Sequence, residues 1–194
     1  MNQNTIVFAS ANANKVLEIE AKLGGSWKLR GLKDIGCLEE LPETTGTIYG
    51  NAIQKATYVW EKYGVDCFAD DTGLEIPALN NEPGVDSADY AQAGRNAQAN
   101  MQLVLDRMAG NDHRNAHFRT VICLYFKGQK YIFEGIAEGK IIDAPRGDAG
   151  FGYDPIFVPD GSQLTFAEMN MEEKNVFSHR AKAIELLKDF LSKA

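Results

Sequence analysis

Four segments of this chain carry side chains whose types and spacing suit chemistry on a phosphate-bearing ligand. The first, Ser10-Ala11-Asn12-Ala13-Asn14-Lys15, joins an apolar run to the start of helical spacing. Free backbone N–H groups and the positive end of a helix dipole favour an anion at such a junction. Lys15 adds a full charge, and the small neighbours let phosphate oxygens approach the backbone. The segment is not a Walker loop, because the spacing of glycines before a Lys-Ser/Thr pair is absent. The second, Phe68-Ala69-Asp70-Asp71-Thr72-Gly73-Leu74, sets two carboxylates side by side at a strand end. Such a pair is costly unless solvated or held against positive charge. Neighbouring strand side chains point to opposite faces, so only one of the two is expected to face a ligand. The residues alone leave open which.

The third segment, Gly150-Phe151-Gly152-Tyr153-Asp154-Pro155, lacks the spacing of a dinucleotide fingerprint. Its glycines permit close approach, and Phe151 is placed to stack on a base. The fourth, Glu173 to Arg180, offers Lys174, Ser178, His179 and Arg180 near a helix break, a donor cluster suited to phosphate or base oxygens. Each has a plainer reading alone: a capped turn, an acidic turn, a glycine-rich turn with a core aromatic, a solvated helix face. Together they supply a phosphate loop, a metal carboxylate, a stacking aromatic and a donor cluster, the parts of a nucleotide-phosphate site. His113 and His117 read as surface or strand residues.

The elements that must position these groups read as mixed α/β. Thr5 to Ala9 is a buried strand, followed by a helix with Val16, Ile19 and Leu23 on one face and Gly24-Gly25 as its stop. An acidic, turn-rich stretch from Leu38 to Gly46 leads into a helix whose stripe runs from Tyr49 to Tyr63, capped by Gly64. Cys67 to Ala69 is a short strand entering a turn at Asp70 to Gly73, with Leu74 to Ile76 extended beyond it. A third helix carries Ala97, Met101, Val104, Leu105 and Met108. Ala116 to Phe126 and Lys130 to Ala137 form a hairpin around Lys127-Gly128-Gln129. The last helical region starts near Asn170, where Asn170 and Glu173 have capping-box spacing.

Composition narrows the class of partner. The 194 residues are 44% hydrophobic and 24% charged, which suits one globular domain spanning 1–194, or one sheet carrying two lobes. Lys plus Arg number 20 against 27 Asp plus Glu, a net charge of −7, which argues against polymeric nucleic acid as a partner. No apolar run approaches the roughly 20 residues of a membrane span, and no secretory signal is read at the start. Cys37, Cys67 and Cys123 are odd in number and widely spaced, as expected of reduced thiols in a cytoplasmic protein.

With these segments in hand, the chain resembles the inosine triphosphate pyrophosphatases. The resemblance rests on SANANK (Ser10 to Lys15), LPETTG (Leu41 to Gly46), FADDTGLEI (Phe68 to Ile76), PGVDSADYA (Pro83 to Ala91), GFGYDPIF (Gly150 to Phe157) and FAEMNMEEKNVFSHRAKA (Phe166 to Ala183), in that order over nearly the whole chain. It implies a long mixed β-sheet with helices forming two lobes around a central cleft, usually in a homodimer. It implies Mg²⁺-dependent hydrolysis of ITP, dITP and XTP to the monophosphate and pyrophosphate, removing deaminated purines from the nucleotide pool. By position, Ser10, Ala11, Asn12, Ala13, Asn14, Lys15 and Lys55 would hold the triphosphate. Glu43 and Asp71 would be the metal carboxylates, Asp71 would also handle the attacking water, and Thr72 would touch the phosphates. Phe151, Gly152, Tyr153 and Asp154 would meet the base, and Lys174, His179 and Arg180 would line the base and sugar pocket. Glu18 matches a further acidic position near the metal.

The chain departs from the family's pattern at three places. Ala11 stands where glycine is usual, Gly50 where many relatives have glutamate, and Asp89 where a basic residue is common. The last two leave room for a nucleotide-binding sensor without catalysis; a pyrophosphatase acting on other modified nucleotides is a second alternative within the same enzyme class.

Overall fold

The computed structural model describes residues 4–10, 13–23 and 27–193, with backbone alone at 13, 14, 17, 18 and 21. Its strands are β1 (Asn4–Phe8), β2 (Trp27–Arg30), β3 (Cys67–Ile76), β4 (Glu82–Pro83), β5 (Asn115–Phe126), β6 (Gln129–Ile141) and β7 (Phe157–Pro159). They form one mixed sheet in the order β2-β1-β3-β5-β6-β7, with β4 paired to β3. β1 runs parallel to β2 and β3, whereas β3–β4 and β6–β7 are antiparallel. The α-helices are α1 (Ala13–Leu23), α2 (Ile48–Tyr63), α3 (Ala97–Arg107), α4 (Met171–Phe177) and α5 (His179–Ser192). The mixed α/β class expected from the sequence is the class observed.

Local chemistry explains most element ends. Thr47 caps α2 by accepting a hydrogen bond from Gly50 N, and Gly64 ends it in the left-handed conformation with its N–H on Trp60 O. Both halves of the Asn170–Glu173 capping box form at the start of α4, with N···O distances of 2.9 Å. Lys127 and Gly128 both take positive φ, 49° and 77°, as a two-residue turn between right-twisted strands requires.

The described backbone divides into two compact units, one drawn from residues 1–71, 121–134 and 183–194, the other from 72–120 and 135–182. Each has its own apolar core. In the first, Ile6, Phe8 and Phe68 of the strands pack with Ile19, Leu23, Ile184 and Leu187 of α1 and α5. The Phe8 and Phe68 rings stack at 4.8 Å. In the second, Leu74, Ile76, Phe118 and Phe157 pack with Val104, Met108, Tyr153 and Phe166. All three cysteines are buried and unbridged. No helix among the described residues is long and apolar enough to cross a membrane.

Several expectations need correction. The turn read at Asp70 to Gly73 does not exist: β3 runs unbroken from Cys67 to Ile76, because both ends of this segment are apolar and buried. The second hairpin strand extends to Ile141 rather than stopping at Ala137. The final helical region is two helices separated at Ser178. β2, β4 and β7 were not foreseen, being four, two and three residues long, too short for a periodic signal.

Candidate functional site

In the first unit, two carboxylates share one ammonium. Lys55 Nζ lies 2.5 Å from Glu43 Oε1 and 3.1 Å from Asp71 Oδ1. The arrangement starts from α2, where Asn51 and Lys55 are one helical turn apart on a single face. Lys55 points to β3, while Asn51 and Gln54 hold the loop that carries Glu43. Thr44 N donates to Gln54 Oε1 at 2.8 Å, and Gln54 Nε2 returns a bond to Thr44 Oγ1 at 2.8 Å. Thr45 N and Thr45 Oγ1 both donate to Asn51 Oδ1, at 3.1 and 2.9 Å. Sequence reading missed Asn51 and Gln54, since nothing local marks a helical amide as a loop clamp.

Gly50 belongs to the same construction. A Cβ there would lie 2.3 Å from Thr45 Oγ1 and 2.7 Å from Thr47 Oγ1. The loop side chains therefore occupy the space a glutamate would need, which is the physical reason for glycine in this chain.

Strand alternation separates the adjacent aspartates as expected. Asp70 is 2% exposed and its Oδ2 lies 2.7 Å from Lys15 Nζ. Asp71, on the other face, meets Lys55. Asp70 thus serves as a buried counter-ion to Lys15. Burial raises the pKa of Asp71 above the ordinary carboxylate value and outweighs the opposing attraction of Lys55; Glu43 adds a like charge. Burial opposes charge on Lys55, yet the surrounding Asp71, Glu43 and Asp70 together raise its pKa, so it stays an ammonium.

A divalent cation fits this carboxylate pair. Among the described residues, Asp71 Oδ2 is buried with no hydrogen-bond partner, an orphaned acceptor that costs free energy until something positive reaches it. Among the described residues no group of three His, Cys, Asp or Glu side chains gathers to hold a metal. Two carboxylates, with the remaining positions left to water and phosphate, is a donor set that suits a hard divalent cation rather than a closed protein cage.

The second unit gathers aromatic and cationic groups. Phe151 is 58% exposed, an unusual state for a large apolar ring. Lys174 Nζ stands 5.1 Å from its centroid and Arg180 Cζ 5.8 Å. Lys174 Nζ is also 2.6 Å from Asp154 Oδ2, which accepts from Phe151 N at 2.8 Å. Asp154 therefore fixes both the lysine and the backbone that carries the ring. Gly150 makes this possible: its φ is +76°, and a Cβ would sit 2.2 Å from Asp154 Oδ2. His179, the first residue of α5, stacks on Phe118 with centroids 4.9 Å apart. Its Nδ1 lies 2.7 Å from Thr120 Oγ1, which in turn lies 2.8 Å from Thr72 Oγ1.

The structure thus brings Glu43, Lys55 and Asp71 together, and separately Phe151, Asp154, Lys174 and Arg180. Tyr153 differs from expectation in its surroundings. Its ring is 4% exposed within the core and its hydroxyl donates to Ser87 O at 2.9 Å, so the side chain is committed to packing. Ser10 is partly buried with its N–H on Phe8 O. Ala13 and Asn14 open α1, and Gly152 takes a φ of +64°. The expectations for Ala11, Asn12, the side chains of Ala13, Asn14 and Glu18, and the Gly24-Gly25 stop lie outside the described residues. Asp89 has a local role: its Oδ1 accepts from Arg95 N at 2.9 Å and closes the turn. His117 lies on β5 and pairs with Glu75 at 2.7 Å.

The chain also matches known proteins over nearly its whole length. The model of the Ham1 family matches residues 6–190. A dITP/XTP pyrophosphatase of Flavobacterium psychrophilum is 54% identical over 185 residues, 95% of this chain and 97% of that protein. The solved structure of a HAM1 protein from Coxiella burnetii superposes with a TM-score of 0.92 at 38% identity, covering 98% of this chain and all (100%) of that one. The Staphylococcus aureus Ham1 protein superposes with the same TM-score of 0.92 at 34% identity, over 98% and 99% of the two chains. On sequence and fold together, this chain belongs to the Ham1 family.

Proposed function

We propose that this chain hydrolyses the triphosphates of deaminated purines, ITP, dITP and XTP, to the nucleoside monophosphate and pyrophosphate. The observation that carries the proposal is the Glu43–Lys55–Asp71 cluster, in which two carboxylates share one ammonium and a buried Asp71 oxygen has no partner among the described residues. It occurs in a chain whose relatives bear the name dITP/XTP pyrophosphatase.

A triphosphate carries roughly four negative charges; Glu43 and Asp71 would hold a divalent ion, proposed to be Mg²⁺, which would offset about half of them. Lys15 and Lys55 supply further positive charge, with the Ser10 to Lys15 segment and Thr72 completing the phosphate contacts. Asp71 holds the attacking water and takes its proton as the water oxygen bonds to the α-phosphorus and the bond to the pyrophosphate oxygen breaks.

The second cluster reads the base. Phe151 supplies an exposed face for stacking. Arg180 or the backbone offers a donor to the 6-carbonyl of hypoxanthine or xanthine, with Lys174 and His179 lining the pocket. Adenine presents an amino donor there instead, and a buried donor facing a donor is strongly disfavoured. A cytoplasmic homodimer is the setting proposed for this activity.

The experiment is an assay with ITP and Mg²⁺ that separates pyrophosphate from orthophosphate, run beside ATP. Pyrophosphate release from ITP in large preference to ATP is expected. Orthophosphate release would place the chemistry at the γ-phosphate and overturn the mechanism. Tight ITP binding with no release would make the protein a sensor.

A further inference from the structure

A buried chain of three hydrogen-bonding groups lies in the second unit, and its middle member has no role in the function proposed above. Thr120 is fully buried on β5, with its Oγ1 2.8 Å from Thr72 Oγ1 and 2.7 Å from His179 Nδ1. Phe118, two residues earlier and so on the same strand face, stacks on the His179 ring with an interplanar angle of 19°. One strand face thus sets both the plane of the imidazole and the partner of its Nδ1.

We propose that Thr120 is a positioning residue that makes Thr72 and His179 one hydrogen-bonded unit, coupling the proton at one to the proton at the other. This inference rests on the functional reading above, in which Thr72 meets phosphate and His179 meets the base. Each hydroxyl has a single proton, so the chain has two self-consistent directions. In one, Thr72 donates to Thr120 and Thr120 donates to His179 Nδ1, which places the ring proton of neutral imidazole on Nε2. In the other, His179 Nδ1–H donates to Thr120, Thr120 donates to Thr72, and the Thr72 proton turns away from Thr120. A neutral ring therefore presents a donor either at Nε2 or at Thr72. A phosphate oxygen that accepts from Thr72 selects the second direction and with it the tautomer of His179.

Two sets of kinetics on ITP with Mg²⁺ test the coupling. Thr120→Val keeps the branched shape without the hydroxyl and is expected to lower kcat/KM about tenfold, the size of one lost buried hydrogen bond; Thr120→Ser, which keeps the hydroxyl, should recover to within about threefold of wild type. A Thr120→Ser variant as impaired as Thr120→Val would assign the loss to packing and overturn the proposal. The second set uses Thr72→Val, His179→Gln and their combination in the otherwise native chain, so it stands even if Thr120→Val fails to fold. The double variant should lose less than the product of the two single losses by at least about threefold, as members of one network do. Losses that simply multiply, in a wild-type enzyme that releases pyrophosphate from ITP, would overturn the coupling and leave the functional reading intact.

Discussion

Replacing Asp71 by asparagine separates function from stability, because the structure predicts that the two move in opposite directions. The substitution keeps the size of the side chain and removes its charge. Turnover of ITP should fall at least ~10²-fold, the expected loss for a positioned general base. Stability in chelator should not fall with it. At 3.1 Å and an effective dielectric constant of about 20, attraction between Asp71 and Lys55 amounts to about 5 kcal/mol. Desolvation of a buried ion costs several kcal/mol in return, and the raised pKa of Asp71 shows that burial wins. Since the folded-state pKa lies above the unfolded one, the unfolded chain ionises first as pH rises, and the ionised group costs stability at neutral pH. Asparagine removes that cost, and Lys55 keeps Glu43 at 2.5 Å. Metal tells the other half. A ligand at a hundred times its Kd stabilises by about 2.7 kcal/mol, or about 5–10 °C in Tm for a chain of this size. Thermal unfolding with and without Mg²⁺ should show that shift in the wild type and its near loss in Asp71→Asn. Near-wild-type turnover would refute the catalytic role. A Tm several degrees lower in chelator would refute the electrostatic reasoning, and an undiminished metal shift would refute the ligand assignment.

Other outcomes follow from the same contacts. Asn51→Ala removes the acceptor of Thr45 N and Oγ1, so it should cost about 1–3 kcal/mol in thermal unfolding and weaken Mg²⁺ binding in a titration, because the Glu43 loop loses its clamp. Gly150→Ala pushes a methyl into Asp154 at a φ of +76°, so KM for ITP should rise about tenfold as the carboxylate releases Lys174 and the Phe151 backbone. Burial pushes the Cys123 thiol up to about 11 and Cys67 up to about 12, so at about pH 8, as followed by peptide mapping, thiol reagents should modify these two residues at least about a hundredfold more slowly in the folded than in the unfolded protein. Because unfolding lets these thiols ionise earlier, stability should also decline in chemical denaturation as pH rises from about 9 towards 11.

Much of the architecture is legible in local sequence because its causes act over a few residues. The Asn170–Glu173 box, the Gly64 cap and the Lys127-Gly128 turn are contacts between near neighbours, and each forms where residue type requires it. Alternation along a strand likewise separates Asp70 from Asp71 before any coordinates are seen. The same signals mislead where the surroundings decide. Two aspartates beside Thr-Gly read as a turn, but β3, paired with β1 at Cys67–Phe68 and with β4 at Glu75–Ile76, stays extended through them. Tyr153 looks like a base contact in its motif, yet the core and Ser87 take its side chain.

By itself the sequence determined the mixed α/β class, the order of the phosphate, carboxylate, aromatic and donor segments, and the identity of Phe151, Lys15 and the aspartates as the groups to watch. Tertiary structure alone decided which groups share charge. Lys55 meets Glu43 and Asp71 across 12 and 16 residues, and Thr120 meets Thr72 and His179 across 48 and 59. No periodicity or cap encodes such partners, because an ion pair or a buried hydrogen bond depends on distances of about 3 Å that only the folded chain sets. Asp71 stands out in sequence as one of two adjacent acids. Only the fold gives it an ammonium neighbour and, among the described residues, an oxygen without a partner, on which the proposed cation site rests.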